Sequence, residues 1–397
     1  MSREFIANRD GLVLGLELLL SSPPTGDLPK LGIEGSGEEE ALSALAGAVL
    51  GGAARLDDPG FFAHMDPATP WITWVAAQWA ARLNQNLLHP DTGAVARELE
   101  GKVIATLAPV WGMDGGHVVP GSTVANLTAL WVARDLVGVT EVVSSEAAHL
   151  SVSKAAQILG LAHRKVPVDA DGSLSPDKLG DISEAAIVLT AGTTDRGAID
   201  PLSVDARWVH VDAAWAGPLK LSDTWSHLLS GIENADSVAV SAHKWLYQPK
   251  ESALVLFADT TAAHDSVSFG GDYLAAPNVG LLGSHGFSAL PLAATILAYG
   301  LSGMAAWVDH GMELASRLAD AVDNHPELEQ LSTGPGTGVV LWRHREVHPQ
   351  TIRRNLEKAT VSLVEVNGEP WLRSVAANPL ADPMAVIDAV LEAARHP

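Results

Sequence analysis

The sequence predicts an α/β protein built on a mostly parallel sheet flanked by helices, with a small C-terminal α+β domain behind it. Two observations carry this. From about residue 95, helical patterns alternate with short apolar, β-branched runs, and strands separated by helices imply parallel pairing with both faces covered. After residue 300 the texture changes to a long helical pattern, then strand-like runs between shorter helices. At 397 residues the chain exceeds what one small core requires and suits two packed units.

In order, the opening "GLVLGLELLLSSPP" reads as an amphipathic helix that packs on a partner. Glu17 interrupts its apolar run and no small-residue cleavage pattern follows, which argues against a signal sequence. Residues 22–40 are rich in Pro, Gly and acids and read as a linker, and "EEEALSALAGAVLGGAARL" as a helix. "DDPGFFAHMDPATPW" is irregular. A helix is expected over Ala125–Arg134, a strand over 140–145, a helix over "HLSVSKAAQIL" and a strand over "HRKVPV". "AAIVLTAGTT" reads as a strand into a loop, "RWVHVDAAW" as a strand, Val238–Val240 as a short buried strand and "ESALVLF" as another. "GMAAWVDHGMELASRLADAVDNH" is a long helix, "GVVLWRHRE" is strand-like, and the last helix runs through Ala394. No segment reads as apolar for long enough to cross a membrane, and there is no internal repeat.

Charge narrows the function. With 47 acidic residues against 25 basic ones the net charge is −22, which argues against a sequence-independent grip on nucleic acid or anionic lipid. The absence of cysteine excludes disulfides, thiolate metal sites and cysteine nucleophiles. The cytoplasm is the expected compartment.

"ADSVAVSAHKWLYQP", residues 235–249, ends an apolar strand on Lys244, behind His243 and ahead of a tryptophan. A snorkelling lysine at a strand-to-loop corner is the plainer reading of this stretch alone. A desolvated lysine there would instead have the lowered pKa that a Schiff base requires. "HVDAAWAGP" closes another strand on Asp212, a carboxylate that needs a partner in so apolar a run. "TAGTTDRGAID" sets Gly192, Thr193 and Thr194 at the next turn, and His149 stands at a helix start. Gly121, Ser122 and Thr123 precede a helix, whose free N–H groups and dipole favour an anion. Singly, each has an ordinary structural reading, as an N-cap pair, a satisfied histidine or a hydrogen-bond acceptor. Together they offer an anion cradle, a flat-faced histidine, a buried carboxylate and a buried lysine. Pyridoxal phosphate requires this set.

The combination, in this order, resembles the group II pyridoxal-phosphate-dependent amino-acid decarboxylases. "HVDAAWAGPL" followed by "ADSVAVSAHKW" is the family's most specific signature, and "GSTVANLTALWVAR", "VVSSEAAHLSVSKAAQILG" and "LTAGTTDRGAIDPL" match it in sequence order. "DDPGFFAHMDPATPW" and "LNQNL" look like its substrate-side segment, and "PWLRSVAANPLAD" its C-terminal domain, so the likeness covers roughly residues 55–395.

The resemblance implies a fold type I, transferase-like enzyme and a role for each residue. Lys244 would carry the cofactor as a Schiff base, Asp212 would pair with the pyridinium nitrogen, and His149 would stack on the ring and touch the substrate carboxylate. Ser122, Thr123, Ser241 and His243 would hold the phosphate, with Ala214 packed beneath the ring. Thr194, or Thr193, would bond the 3′-oxygen region or the carboxylate. It also implies a homodimer with a shared site, the Asp57–Trp74 segment lining the partner's pocket. The expected division is 1–75 as a helical, substrate-side segment, 76–302 as the cofactor domain and 303–397 as the small domain.

Two departures bear on the reaction. Relatives carry a long loop whose tyrosine protonates the substrate carbon after carbon dioxide leaves; here Tyr273 to Phe287 leaves no room for it and offers no later tyrosine. His285, Gly286 and Ser288 stand where arginines are common, and His285 can replace a carboxylate-binding arginine only when protonated. The expected reaction is loss of the α-carboxylate from an amino acid to give an amine. His149 or Tyr273 is then the alternative proton donor. The runners-up are another pyridoxal-phosphate lyase, an oxygen-using decarboxylative deaminase, or a catalytically silent cofactor-binding partner. His64, Trp71 and His285 are the expected substrate contacts, and Trp71, Trp74 and Trp215 suit an apolar or aromatic side chain. "HREVH" at 344–348 has metal-pair spacing but follows a strand and lacks a third ligand, and "GPGTG" at 334–338 reads as a turn, so no metal is expected.

Overall fold

The computed structural model describes residues 8–271, 274, 277–331 and 336–395. Tyr273 and the Gly334–Pro335 portion of "GPGTG" lie outside the described residues. The chain forms two compact units, Met1–Leu56 and Asp57–Pro397. In the first, α1 (Arg9–Leu20) starts at Asn8, whose side-chain oxygen accepts from the N–H groups of Asp10 and Gly11. Its amphipathic stripe is unburied, with Leu12 and Leu20 both about two-thirds exposed at 68% and 67%. The acidic triplet at 38–40 favours the N-terminus of α2 (Glu38–Leu45), which continues into a π-helical turn, Ala46–Leu50.

In the second unit α3 (Trp71–Leu83) and α4 (Ala94–Leu107) lead into a sheet that is seven-stranded among the described residues. Its strands are β1 (Gly115–Val119), β2 (Glu141–Ser145), β3 (Ala162–Val166), β4 (Ala185–Thr190), β5 (Trp208–Asp212), β6 (Ser237–Val240) and β7 (Ala253–Phe257). They lie in the order β1-β7-β6-β5-β4-β2-β3. The run from β6 to β3 is parallel, and only the pairings of β7 with β6 and β1 are antiparallel. Helices α5 (Ser122–Val137) and α6 (Leu150–Leu159) supply the crossovers around β2.

Period-2 geometry explains the continuous apolar runs. Along β4, Ala186 and Val188 enter the core built with α5 and α6, while Ile187 and Leu189 enter the core on the opposite face. β1 was not foreseen, because its "GGHVV" has little strand character. Gly116 is required there: at φ 151° a Cβ would come within 2.0 Å of the Val255 carbonyl oxygen on β7.

Beyond β7 come α7 (Thr260–Ser266) and the short pair β8 (Ser268–Phe269) and β9 (Asn278–Val279). The expected long helix begins earlier, as α8 (Leu290–Asp323), interrupted at Gly300 where φ is 65°. By length and composition α8 is apolar enough to cross a membrane, which corrects the expectation that no segment is. Part of its apolar surface is used inside the protein: Met304, Val308 and Met312 are fully buried. The remaining strands β10 (Leu328–Gln330), β11 (Val339–His344), β12 (Ser362–Val366) and β13 (Glu369–Val375) form an antiparallel sheet in the order β10-β11-β13-β12. It packs with α8, α9 (Pro349–Asn355) and α10 (Pro383–Ala394) around Trp342, Leu372 and Val390.

Candidate active site

The carboxyl ends of β4, β5 and β6 converge on one cleft of about 220 Å³. Its walls include Ser122, Thr123, His149, Thr194, Asp212, Ala214, Ser241, His243 and Lys244, which are the nine cofactor-binding positions expected from the sequence. Thr190, Gly192 and Trp215 join them. A crevice at this end of a parallel sheet is where such folds bind ligands.

Lys244 leaves β6 through a tight loop. His243 N–H donates to the Ser252 carbonyl at 3.0 Å, Lys244 N–H to Ser241 at 3.2 Å and Gln248 N–H to Ala242 at 3.0 Å. Trp245 fastens this loop: its indole donates to the Ala376 carbonyl at 2.9 Å and stacks on Trp215 with ring centroids 4.3 Å apart. Burial pushes the Lys244 ammonium below the usual lysine range, and Asp212 opposes the shift. An amine so placed is a nucleophile at lower pH than a solvated lysine.

Asp212 ends β5 and is 4% exposed. Its Oδ2 accepts from Asn126 Nδ2 at 2.8 Å and its Oδ1 from the Ala214 N–H at 3.2 Å. His149 caps α6, with Nδ1 accepting from the Ser151 N–H at 3.2 Å. Desolvation lowers its pKa and outweighs the pull of Asp212, while Lys244 and Lys154 add to the lowering. Its imidazole is therefore neutral at neutral pH.

The N-terminus of α5 has no side-chain cap. Ser122 Oγ and Ser241 Oγ meet at 2.5 Å beside it, and His243 Nδ1 and Thr190 Oγ1 are buried without a hydrogen-bond partner. Gly192, at φ 94°, keeps the floor clear; a Cβ would come within 2.8 Å of Trp215 Cδ1. Uncapped helix N–H groups with hydroxyls around them suit a phosphate, the small Ala214 leaves space for a ring, and Asp212 suits a protonated ring nitrogen. The residues present fit pyridoxal phosphate.

Of the open pair, Thr194 lines the cleft, whereas Thr193 is fully buried and its Oγ1 accepts from the Ala198 N–H at 3.0 Å. The three expected substrate contacts do not line the cleft. His64 is exposed, Trp71 is 62% exposed, and His285 lines a neighbouring recess, its Nδ1 donating to the Gly283 carbonyl at 2.9 Å. Sequence reasoning missed Asn126, Ser151, His210 and Arg373. Asn126 had a signal, as an amide inside the apolar run "VANLTALWV". His210 also had one, two residues before Asp212 and so on the same side of its strand.

A model of the pyridoxal-dependent decarboxylase conserved domain matches residues 37–345. The chain is 29% identical to an aspartate 1-decarboxylase of Aliivibrio fischeri, with 76% of this chain and 66% of the relative covered. It is 31% identical to an L-2,4-diaminobutyrate decarboxylase of Rhizobium meliloti, covering 80% of this chain and 71% of that one. Among solved structures, the glutamate decarboxylase domain of a Vibrio parahaemolyticus diaminobutyrate-pyruvate transaminase and L-2,4-diaminobutyrate decarboxylase superposes with a TM-score of 0.86. It shares 24% identity and covers 98% of this chain and 95% of its own. That likeness shows the fold.

Proposed function

The chain belongs to the family of pyridoxal-dependent decarboxylases, enzymes that act on amino acids, and we propose that this member removes the α-carboxylate of an amino acid with an acidic side chain. One observation carries the choice of side chain. Arg373, 8% exposed, does not itself line the cleft, but its charge reaches Lys244 and among the described residues it forms no ion pair. Its Nη1 donates to Ser362 Oγ at 3.2 Å and to the Ala63 carbonyl at 3.3 Å, and its Nε is buried without a partner. Burial pushes this guanidinium down to about 10 although Asp195 opposes the shift, and its charge is felt at Lys244. An uncompensated buried cation is costly, and an anionic substrate group relieves that cost. A guanidinium on the departing carboxylate would stabilise the ground state more than the transition state, so the group it serves is the distal one. A distal ammonium, as in diaminobutyrate, would be repelled. The aspartate-decarboxylating relative agrees with this reading, and the diaminobutyrate-decarboxylating one does not.

Bound pyridoxal phosphate supplies the electron sink for the bond that breaks. Lys244 would hold its aldehyde carbon, Asp212 its ring nitrogen, and Ser122, Thr123, Ser241 and His243 its phosphate. Breaking the carbon–carbon bond releases carbon dioxide and leaves its electron pair at the α-carbon, which must take up a proton. Lys244 and His149 can each hold that proton in the cleft. A shared site in a homodimer is part of the proposal; its support is the exposure of Trp71, Trp74 and Trp79 on α3, at 62%, 42% and 61%.

The test is product analysis after incubating the holoenzyme with aspartate, cysteine sulfinate, 2,4-diaminobutyrate and the aromatic amino acids, in air and under argon. Amine from the acidic substrates, at least about tenfold faster than from the others, is expected. Preference for diaminobutyrate or an aromatic acid overturns the acidic reading. Aldehyde that vanishes under argon replaces it with the oxygen-using alternative.

A further inference from the structure

Behind the cleft runs a fully buried polar chain whose donors and acceptors can be ordered atom by atom. Asp212 Oδ2 accepts from the Asn126 amide nitrogen at 2.8 Å. The Asn126 Oδ1 then faces His210 Nε2 at 3.0 Å, and since an amide oxygen cannot donate, His210 Nε2 carries a hydrogen. Its Nδ1 is left to accept from Ser237 Oγ at 2.9 Å, and that hydroxyl in turn accepts from the Trp208 indole at 2.9 Å. Burial holds His210 down to about 4, so it stays neutral and keeps this arrangement.

In the other direction Asn126 Nδ2 also donates to Ser151 Oγ at 2.8 Å. The Ser151 hydroxyl hydrogen is then free for His149 Nδ1, 2.8 Å away, which already accepts from the Ser151 N–H. With Nδ1 occupied as an acceptor, the proton of neutral His149 sits on Nε2.

We infer that Asn126 is a positioning residue that couples the two sides of the cofactor site, orienting the Asp212 carboxylate through one amide hydrogen and, through the other and Ser151, fixing His149 as the tautomer with hydrogen on Nε2. His210 keeps the amide from turning over. This deepens the decarboxylase reading and rests on the cleft being the pyridoxal-phosphate site. Asn126, Ser151 and His210 are each fully buried, so solvent cannot replace any of these bonds.

The test uses holoenzyme labelled with ¹⁵N-histidine, together with pyridoxal-phosphate titrations of the apo-protein. In the wild type, nitrogen NMR should show His149 with an unprotonated Nδ1. Ser151→Ala cuts only the histidine branch. The 3.2 Å bond from the Ser151 backbone N–H survives, so the Nδ1-protonated tautomer of His149 should rise only to a detectable minority, while cofactor affinity stays within about twofold of wild type, because Asn126 still holds Asp212. Asn126→Ala removes both branches, so cofactor affinity should fall about tenfold and the single tautomer should be lost. Adding Ser151→Ala to it should change neither readout further. His210→Gln, which keeps an N–H toward Asn126, should preserve both signals, whereas His210→Leu should lose the single tautomer. That pair decides the matter if Asn126→Ala does not fold. A folded Asn126→Ala with wild-type affinity and a single His149 tautomer overturns the proposal, as does His210→Leu with both signals intact. No readout uses a substrate, so failure of the acidic-substrate reading leaves these outcomes unaffected.

Discussion

The cleft at the strand ends and the recess beside α4 lie in the same unit and enclose similar volumes, about 220 and 230 Å³. Each is walled by a carboxylate and histidines. In the cleft, both Asp212 oxygens have donors, and Lys244, His149 and His243 line the same walls. In the recess, Glu100 has one long contact, from the Val118 N–H at 3.5 Å, and its Oε2 is buried without a partner. Burial there pushes Glu100 up to about 7, and pushes His117 down to about 3 with help from His264 and His285. In the recess burial favours the neutral forms of Glu100 and His117; in the cleft Asp212 keeps its donors and opposes the burial that lowers the Lys244 pKa. Crowded ionisable groups therefore mark a reaction site only where donors and counter-charges sustain them.

Lys244→Ala should produce the largest effect, lowering turnover by at least about 10³-fold and abolishing the cofactor label that borohydride fixes in wild type. Peptide mapping should find that label on Lys244; a label on Lys250, which pairs with Asp66, would move the reacting amine outside the cleft. Asp212→Ala comes next, with turnover down about 10²–10³-fold while phosphate anchoring survives. Near-normal turnover would make Asp212 as inert as Glu100 is expected to be. Arg373→Gln should raise KM for an acidic substrate about 10–100-fold, with a smaller effect on kcat. Equal losses on acidic and neutral amino acids would assign Arg373 to packing.

Much of the cleft was legible because its residues occupy strand ends and turns, where a lysine behind "VAV" or an aspartate closing "WVHV" breaks an apolar pattern. The residues that escaped notice act through tertiary partners. Asn126 gains meaning only where α5 crosses the end of β5, and Arg373 only once β13 sets it near Ala63. His64, Trp71 and His285 were chosen for their chemistry and their place in the chain, and neither determines which wall a side chain faces. Gly116 carries no strand signal in the sequence; the close approach of β7 makes it part of a strand.

The smallest expected effect comes from the recess, and it separates stability from chemistry. The Glu100 carboxyl titrates near 7 in the folded protein against 4.5 as its ordinary value, because burial penalises its charge. At pH below 4.5 both states hold the proton and the group costs nothing. As pH rises toward 7, the unfolded chain releases the proton first, so stability falls through this window and stays lower above it. The full cost is about 3 kcal/mol. Glu100→Gln keeps an oxygen for the Val118 N–H and removes the charge. Its melting temperature should exceed wild type by about 3–6 °C at pH 8, with most of that gain gone at pH 5. Turnover should be unchanged at either pH. A gain equal at both pH values would show that charge burial is not what Glu100 suffers, and a tenfold loss of turnover would bring the recess into the chemistry of the cleft.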